Sequence, residues 1–271
     1  MPVTSDSRTY KKLLEDWYRP NKLRVLAEGD SWFAYPRKYL LFGGDSNIID
    51  HLADNSRLLI YNTSCNGDEA VDMVSGEQKL SLLKRLSHNE FDLLLFSGGG
   101  NDIVGRYDFG FFIREMKPGK TWEQCINKDR VEMKLQQIEN TYRILCELTL
   151  DYSKNPNIQI ITHTYDLVQP NKKGFELFDV IPLGRSWVYP YLKQKGITDD
   201  NDQKKIVTYL LTQFKERLQA VAAEYPILTV VNTQGLLNDS EWLNEIHPNS
   251  SGFGKVADCI FENAIKSRLP Q

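Results

Sequence analysis

Five short segments of the chain are apolar without interruption at their centres. They cover residues 22–28, 57–62, 91–97, 157–163 and 226–232. None of them alternates between apolar and polar residues, as a strand with one solvated face would. A continuously apolar strand is typical of a parallel sheet that is covered on both faces. We therefore predict five strands of a parallel sheet.

The segments between these strands have the spacing of amphipathic helices. Val131, Leu135 and Ile138 are spaced four and three residues apart, and the same pattern continues through Leu145. Similar apolar stripes run over residues 206–221 and 253–264. Strands that alternate with helices predict βαβ units, right-handed crossovers and a doubly wound α/β sheet.

The chain shows no internal repeat, low-complexity linker or break in composition, so we expect one domain over residues 1–271. Two long segments, at about 103–130 and 166–201, interrupt the alternation of strands and helices. Each follows the carboxyl end of a predicted strand. Ligands of open α/β sheets bind outside this edge, so we expect both loops to contribute to function.

Charge and hydropathy exclude several classes of partner. There are 33 Lys and Arg residues against 36 Asp and Glu, a net charge of −3, and no block of basic residues for a nucleic acid to bind. No apolar run approaches the roughly 20 residues that span a bilayer, and the first 20 residues lack the apolar core of a signal peptide. Four widely spaced cysteines without a CxxC pair are typical of reduced thiols, so we expect a cytoplasmic protein.

Four short motifs lie at or near the ends of the predicted elements. Gly29-Asp30-Ser31 follows the first strand, Gly67 lies after the second, and the sequence Gly99-Gly100-Asn101-Asp102 follows the third. Asn244-Glu245-Ile246-His247-Pro248 directly precedes the last helix. The carboxyl ends of parallel strands share one edge, so a single crevice could bring these motifs together.

These residue types fit nucleophilic acyl transfer. A serine in a tight turn can attack a carbonyl carbon when a base removes its proton, and His247 is the candidate base for Ser31. The tetrahedral oxyanion requires preorganised donors. We predict that the backbone N–H groups of Ser31 and Gly67 and the side-chain amide of Asn101 form this oxyanion hole.

The four motifs, in this order, resemble the four sequence blocks of the SGNH (GDSL-like) hydrolase superfamily, over residues 24–254. The resemblance implies a three-layer α/β/α, flavodoxin-like domain with five parallel strands in the order 2-1-3-4-5. It also implies a serine ester hydrolase that needs no cofactor and acts on a small-molecule or lipid-like acyl ester.

One position departs from the family pattern. The superfamily usually has Asp three residues before the histidine, where this chain has Asn244. An amide oxygen can hold the imidazole ring but stabilises its protonated form less than a carboxylate does. Three hypotheses remain open. Asn244 supports a Ser–His dyad, or a nearby acid takes its place, or the site is weakly active and the protein has a binding or regulatory role. The candidate acids are Asp239, Glu241 and Glu245.

Other residues of chemical interest have both a functional and a structural interpretation. We predict that Trp32, His163, Tyr107 and Trp187 contact substrate, although each could instead pack or order a loop. A second Gly-Asp-Ser lacks a preceding strand, so Ser46 is predicted to cap a helix that runs through Leu52. The four histidines have no metal-ligand spacing, so no metal site is expected. A flavin or nucleotide site is disfavoured because no phosphate-binding loop follows the first strand.

Overall fold

A parallel six-stranded sheet forms the centre of the structure. The computed structural model describes residues 3–15, 21–36, 46–105, 108–172, 176–177, 181–182 and 186–270. In chain order its strands are β1 (Val3–Thr4), β2 (Leu23–Gly29), β3 (Leu58–Asn62), β4 (Leu93–Ser97), β5 (Gln159–His163), β6 (Glu176–Leu177), β7 (Ile181–Pro182) and β8 (Leu228–Val231). The sheet has the order β1-β3-β2-β4-β5-β8, while β6 and β7 form a separate antiparallel pair.

The five predicted strands are present in the predicted relative order, and every adjacent pair among them is parallel. The prediction of five strands was one too few. Strand β1 pairs with β3 at the edge of the sheet, with Val3 beside Ile60 and Thr4 beside Tyr61. Its two residues are too few to show a hydrophobic pattern, so pairing with β3 defines this strand.

Eleven α-helices lie within the described residues. They are α1 (Ser7–Glu15), α2 (Ser31–Ala34), α3 (Ile48–Leu52), α4 (Ala70–Met73), α5 (Gly76–His88), α6 (Gly100–Val104), α7 (Phe109–Phe112), α8 (Lys128–Tyr152), α9 (Tyr189–Gln194), α10 (Asp200–Glu224) and α11 (Ser250–Ile260). Helix α3 contacts α11, and α8 contacts both α5 and α10. Right-handed crossovers place these two groups on opposite faces of the sheet, because the chain reverses its direction across the sheet after β3.

The hydrophobic pattern of each element explains its place in these layers. All five residues of β4 are buried, as expected for a central strand between two helical layers. The predicted stripes on α8 and α10 are buried, while polar residues of the same helices face outward. Burial of each large apolar side chain contributes about 1.5–3 kcal/mol, so these stripes fix the helices against the sheet.

Both long segments contain short elements of their own. Residues 103–130 include α7 and a 3₁₀ turn at Trp122–Cys125, and residues 166–201 include β6, β7 and α9. No helix in the described parts of the chain combines the length and hydropathy needed to cross a bilayer.

The predicted helix after the second Gly-Asp-Ser is present, but its cap is not Ser46. Asn47 occupies the N-cap position, and its side-chain oxygen accepts the N–H of Asp50 at 2.9 Å. The hydroxyl of Ser46 instead donates to the carbonyl oxygen of Tyr35, at 3.2 Å. Ser and Asn are both good cap residues, so residue type alone does not choose between them.

Candidate active site

The predicted motifs meet at the carboxyl edge of the sheet. Ser31 is the first residue of α2, which begins immediately after β2. Asp30 caps this helix, and its carboxylate accepts the N–H of Trp32 at 2.9 Å. His247 lies between β8 and α11, at the far end of the chain. The fold thus brings together two residues that are 216 positions apart.

Ser31, His247 and Asn244 form a hydrogen-bonded chain. The Oγ atom of Ser31 is 2.8 Å from Nε2 of His247. On the other side of the ring, Nδ1 is 3.1 Å from the side-chain oxygen of Asn244. The same oxygen accepts the backbone N–H groups of Ile246, at 3.1 Å, and His247, at 2.9 Å.

These contacts define the tautomer of His247. The two backbone donors require the oxygen, rather than the nitrogen, of the Asn244 amide to face the imidazole ring. Nδ1 of His247 must then carry the proton that it donates to Asn244. Nε2 is left as an acceptor and faces the hydroxyl of Ser31, which is the arrangement required of a base that removes the serine proton.

The site is closed in this structure. Ser31 is 4% and His247 3% exposed. The rings of Tyr35 and Trp187 flank the imidazole, with centroids 4.4 and 5.5 Å from its own. Burial lowers the pKa of His247 to about 3, because an imidazolium ion would lose its hydration here. The ring is therefore neutral at pH 7.

The three carboxylates that could have replaced the missing Asp lie elsewhere. Asp239 is exposed on a 3₁₀ turn, and Glu241 pairs with Lys255 at 2.6 Å. The Glu245 carboxylate accepts backbone N–H groups from residues 187–189. The ring nitrogens of His247 contact Ser31 and Asn244 instead. Asn244, and none of these three carboxylates, is therefore the side chain that Nδ1 of His247 contacts.

The loop after β3, which carries Gly67, contacts the start of α6, which carries Asn101. Gly67 has φ of +93°, a conformation that favours glycine, and it is exposed. The side-chain amide of Asn101 donates to the carbonyl oxygen of Asp68 at 2.8 Å. Asp102, the next residue, accepts the N–H of Ala70 at 2.8 Å. These two bonds fix the Gly67 loop against the helix that carries Asn101.

A buried polar network beneath Ser31 was not foreseen from the sequence. The Asp30 carboxylate accepts the hydroxyl of Tyr165 at 2.6 Å and that of Ser97 at 2.9 Å. Nε2 of His163 lies 3.0 Å from the Ser97 hydroxyl, and Nδ1 accepts the N–H of Tyr165. Burial raises the pKa of Asp30 to about 6. The ends of β2, β4 and β5 are thus joined directly beneath the turn that holds Ser31.

The residues predicted to contact substrate have different surroundings. Trp32 borders the space beside Ser31, and Trp187 covers His247. His163 is buried behind Trp32, and the centroids of the two rings are 5.4 Å apart. Its hydrogen bonds to Ser97 and Tyr165 favour the structural interpretation of His163, in which it orders a loop, over contact with substrate. Tyr107 lies outside the described residues. No three His, Cys, Asp or Glu side chains among those described are grouped as a metal site requires.

Glu245 connects the second long loop to the site. One carboxylate oxygen accepts the N–H groups of Trp187 and Val188, and the other accepts that of Tyr189 at 2.6 Å. Burial raises the pKa of this carboxyl group to about 7. The segment that places Trp187 over His247 is therefore held by a side chain two residues before that histidine.

We expect Glu245→Gln to loosen this segment, because the amide nitrogen of Gln cannot accept a hydrogen bond. Loss of a buried acceptor costs about 1–3 kcal/mol, so amide hydrogens of residues 187–189 should exchange about tenfold faster or more. Glu241→Gln is the matched control, since it changes a buried carboxylate that bonds Lys255 and Asn238 instead. Equal exchange in wild type and Glu245→Gln would contradict the assignment.

Comparison with known proteins identifies the fold. Neither protein-family models nor curated protein sequences match the chain. Solved structures do match it. A lipase from a goat rumen metagenome is 14% identical, with a TM-score of 0.54 over 90% of this chain and 98% of that one. A protein described as a GDSL-like lipase from Parabacteroides merdae is 16% identical, with a TM-score of 0.54 over 89% and 95%.

A third match is a member of the lipolytic G-D-S-L family from Veillonella parvula. It is 13% identical, with a TM-score of 0.52 over 89% of this chain and 98% of that one. All three similarities extend over nearly the full length of both chains. The chain therefore shares the α/β fold of these solved structures, two of which are described as GDSL-type proteins.

Proposed function

We propose that the protein is a serine ester hydrolase in which Ser31 is the nucleophile and His247 the general base. The observation that carries the proposal is the 2.8 Å contact between Ser31 Oγ and an unprotonated Nε2 of His247, whose other nitrogen is held by Asn244. A general base must lie within hydrogen-bond reach of the proton that it removes. The similarity in motifs and fold to the SGNH hydrolase superfamily supports the same chemistry, although the fold alone does not define an activity.

In the first step, Ser31 Oγ forms a bond to the acyl carbon while its proton moves to Nε2 of His247. The tetrahedral intermediate collapses as the carbon–oxygen bond to the alcohol breaks, and His247 returns the proton to the leaving oxygen. Water then repeats these steps on the acyl-enzyme and releases a carboxylic acid and free Ser31. Asn244 holds the ring in one orientation throughout.

The oxyanion is proposed to bind the N–H groups of Ser31 and Gly67 and the side chain of Asn101. An amide has two N–H bonds, and the carbonyl oxygen of Asp68 accepts one from Asn101. That bond fixes the plane of the amide and so preorganises the donor before substrate arrives, which is the requirement for lowering the barrier. The proposed substrate is a small-molecule or lipid-like acyl ester.

A second candidate is a binding or regulatory protein with a weak catalytic site. Asn244 favours this alternative, because an amide cannot stabilise a buried imidazolium as a carboxylate does. The low pKa of His247 is consistent with a weak base. The reactivity of Ser31 distinguishes the two candidates.

Ser31→Ala should reduce hydrolysis of p-nitrophenyl acetate by about 10³-fold or more, since the nucleophile is lost. It should also abolish labelling by a fluorophosphonate, read by intact-protein mass spectrometry. Its melting temperature should stay close to that of wild type. Ser46→Ala is the matched control, because Ser46 belongs to the other Gly-Asp-Ser and bonds Tyr35 and Asp50. A wild-type protein that neither hydrolyses the ester nor reacts with the fluorophosphonate would favour the binding role.

Asn101→Ala should lower kcat by about 10²–10³-fold with a smaller effect on KM, because an oxyanion donor acts mainly in the transition state. Steady-state kinetics with p-nitrophenyl acetate measures both constants. A raised KM at unchanged kcat would instead place Asn101 in substrate binding.

Asn244→Asp should move the acidic limb of kcat/KM to higher pH. In the wild type, burial keeps His247 neutral down to a pKa of about 3, so activity should persist well below pH 6. A carboxylate at position 244 would favour the protonated ring and raise its pKa, so protonation would inactivate the base at a higher pH. The stronger base should also raise the plateau rate.

The matched control is Asn249→Asp, which adds the same charge two residues beyond His247. Asn249 caps α11 and bonds Gly252 and Ser240 rather than the imidazole. We expect its pH profile to shift less than that of Asn244→Asp. An unmoved profile in Asn244→Asp would show that the side chain at position 244 does not control the base.

A further inference from the structure

A small cavity lies directly beside Ser31. Asn101 also borders it, so the cavity adjoins both the proposed nucleophile and a proposed oxyanion donor. Asp30 and Gly100 also line it, and the rest of its wall is apolar or aromatic. These wall residues are Trp32, Val104, Tyr165, Val168, Leu211 and Ile246.

The cavity is very small. The volume that the centre of a water-sized sphere can reach is about 10 Å³. About 10–15 Å³ by this measure is needed to hold one water molecule. The space therefore matches a group the size of a methyl, and a longer alkyl chain would need the wall to move.

The wall is held in place by packing on several elements. Leu211 is buried on α10, and Val104 is buried on α6. The Tyr165 ring is fixed by the bond from its hydroxyl to Asp30. It also packs against Gly100, where an added Cβ would approach within 2.9 Å of the ring. Close-packed interiors resist even one extra methylene, so this wall should exclude larger groups.

The position of His247 shows which part of an ester would enter the cavity. The leaving alcohol must lie beside Nε2 of His247, which returns the proton to it. His247 is not among the described residues that line the cavity. The substituent that points away from His247 is the acyl chain.

We infer that this cavity is the acyl subsite and that its walls select acetyl esters over esters of longer acids. The inference rests on the proposed serine ester hydrolysis and names its substrate class. Hydrolysis would then release acetate and an alcohol. Leu211 and Val168 would set the length limit.

The test is the dependence of kcat/KM on acyl length, measured with p-nitrophenyl acetate, butyrate and octanoate. We expect wild type to prefer acetate over butyrate by on the order of tenfold or more, and octanoate to be the poorest substrate. Leu211→Ala should raise the butyrate-to-acetate ratio by about tenfold, because it removes three carbon atoms from the wall. Leu210→Ala is the matched control. It makes the same change at the next buried position of α10, outside the cavity wall, and should leave the ratio unchanged.

The outcomes separate this inference from the proposed function. Equal or faster hydrolysis of octanoate by wild type, with Ser31 labelled by a fluorophosphonate, would overturn the acetyl subsite and leave the hydrolase in place. Absence of both hydrolysis and labelling would overturn both. If circular dichroism shows Leu211→Ala to be unfolded, Val168→Ala opens the same wall from a loop and should raise the same ratio. A folded wall variant with the ratio of wild type would also overturn the inference.

Discussion

The carboxylate of Asp30 is buried where three strands end, and the geometry of the site depends on the donors that surround it. It accepts the N–H of Trp32 and the hydroxyls of Ser97 and Tyr165. A buried carboxylate without such partners would be too costly to maintain. These donors come from α2, from β4 and from the loop that follows β5. The hydrogen bonds to one carboxylate therefore fix three segments of the chain relative to Ser31. The network also sets the position of Tyr165, and through it one wall of the cavity.

Burial and charge oppose each other at His247. In the proposed reaction, burial of the site would strengthen hydrogen bonds to the oxyanion, but it would also penalise the imidazolium that acyl transfer forms. A carboxylate at position 244 would relieve this penalty and would itself have to be buried. Asn244 avoids that buried charge. It keeps the ring orientation and tautomer, and it gives up electrostatic support for the protonated ring.

Trp187, in the second long loop, covers His247, and Glu245 links that loop to the histidine segment. A single five-residue segment, 244–248, therefore orients the ring through Asn244, borders the cavity through Ile246 and holds the covering segment through Glu245. In the proposed reaction, an ester would have to displace part of this cover to reach Ser31, which is 4% exposed. The Trp187–Tyr189 backbone and its carboxylate partner are the contacts on which such opening would depend.

The strand order was implied by the family resemblance and not by any local pattern. From its own pattern, the sequence determined the five main strands, the long helices and the edge where the motifs meet. Hydrophobic periodicity reports which face of an element is buried, and parallel strands place their carboxyl ends at one edge, so these features follow from local patterns. Hydrophobic periodicity did not predict β1, because a strand of two residues shows no period. It also could not choose between Ser46 and Asn47 as a cap, since both residue types are suitable and only the surrounding chain distinguishes them.

Only the tertiary structure decided which polar side chains meet. The bond between Tyr165 and Asp30 joins residues 135 positions apart, and no local pattern encodes it. Position 245 carries a carboxylate next to the expected place of the triad acid, yet that side chain points to the backbone of residues 187–189, while the neutral Asn244 reaches the ring. Side-chain direction within an irregular segment depends on the donors that the rest of the fold supplies. Those donors lie on segments that are distant in sequence. The sequence alone therefore determined the candidate site residues, and the tertiary structure determined which residues they contact.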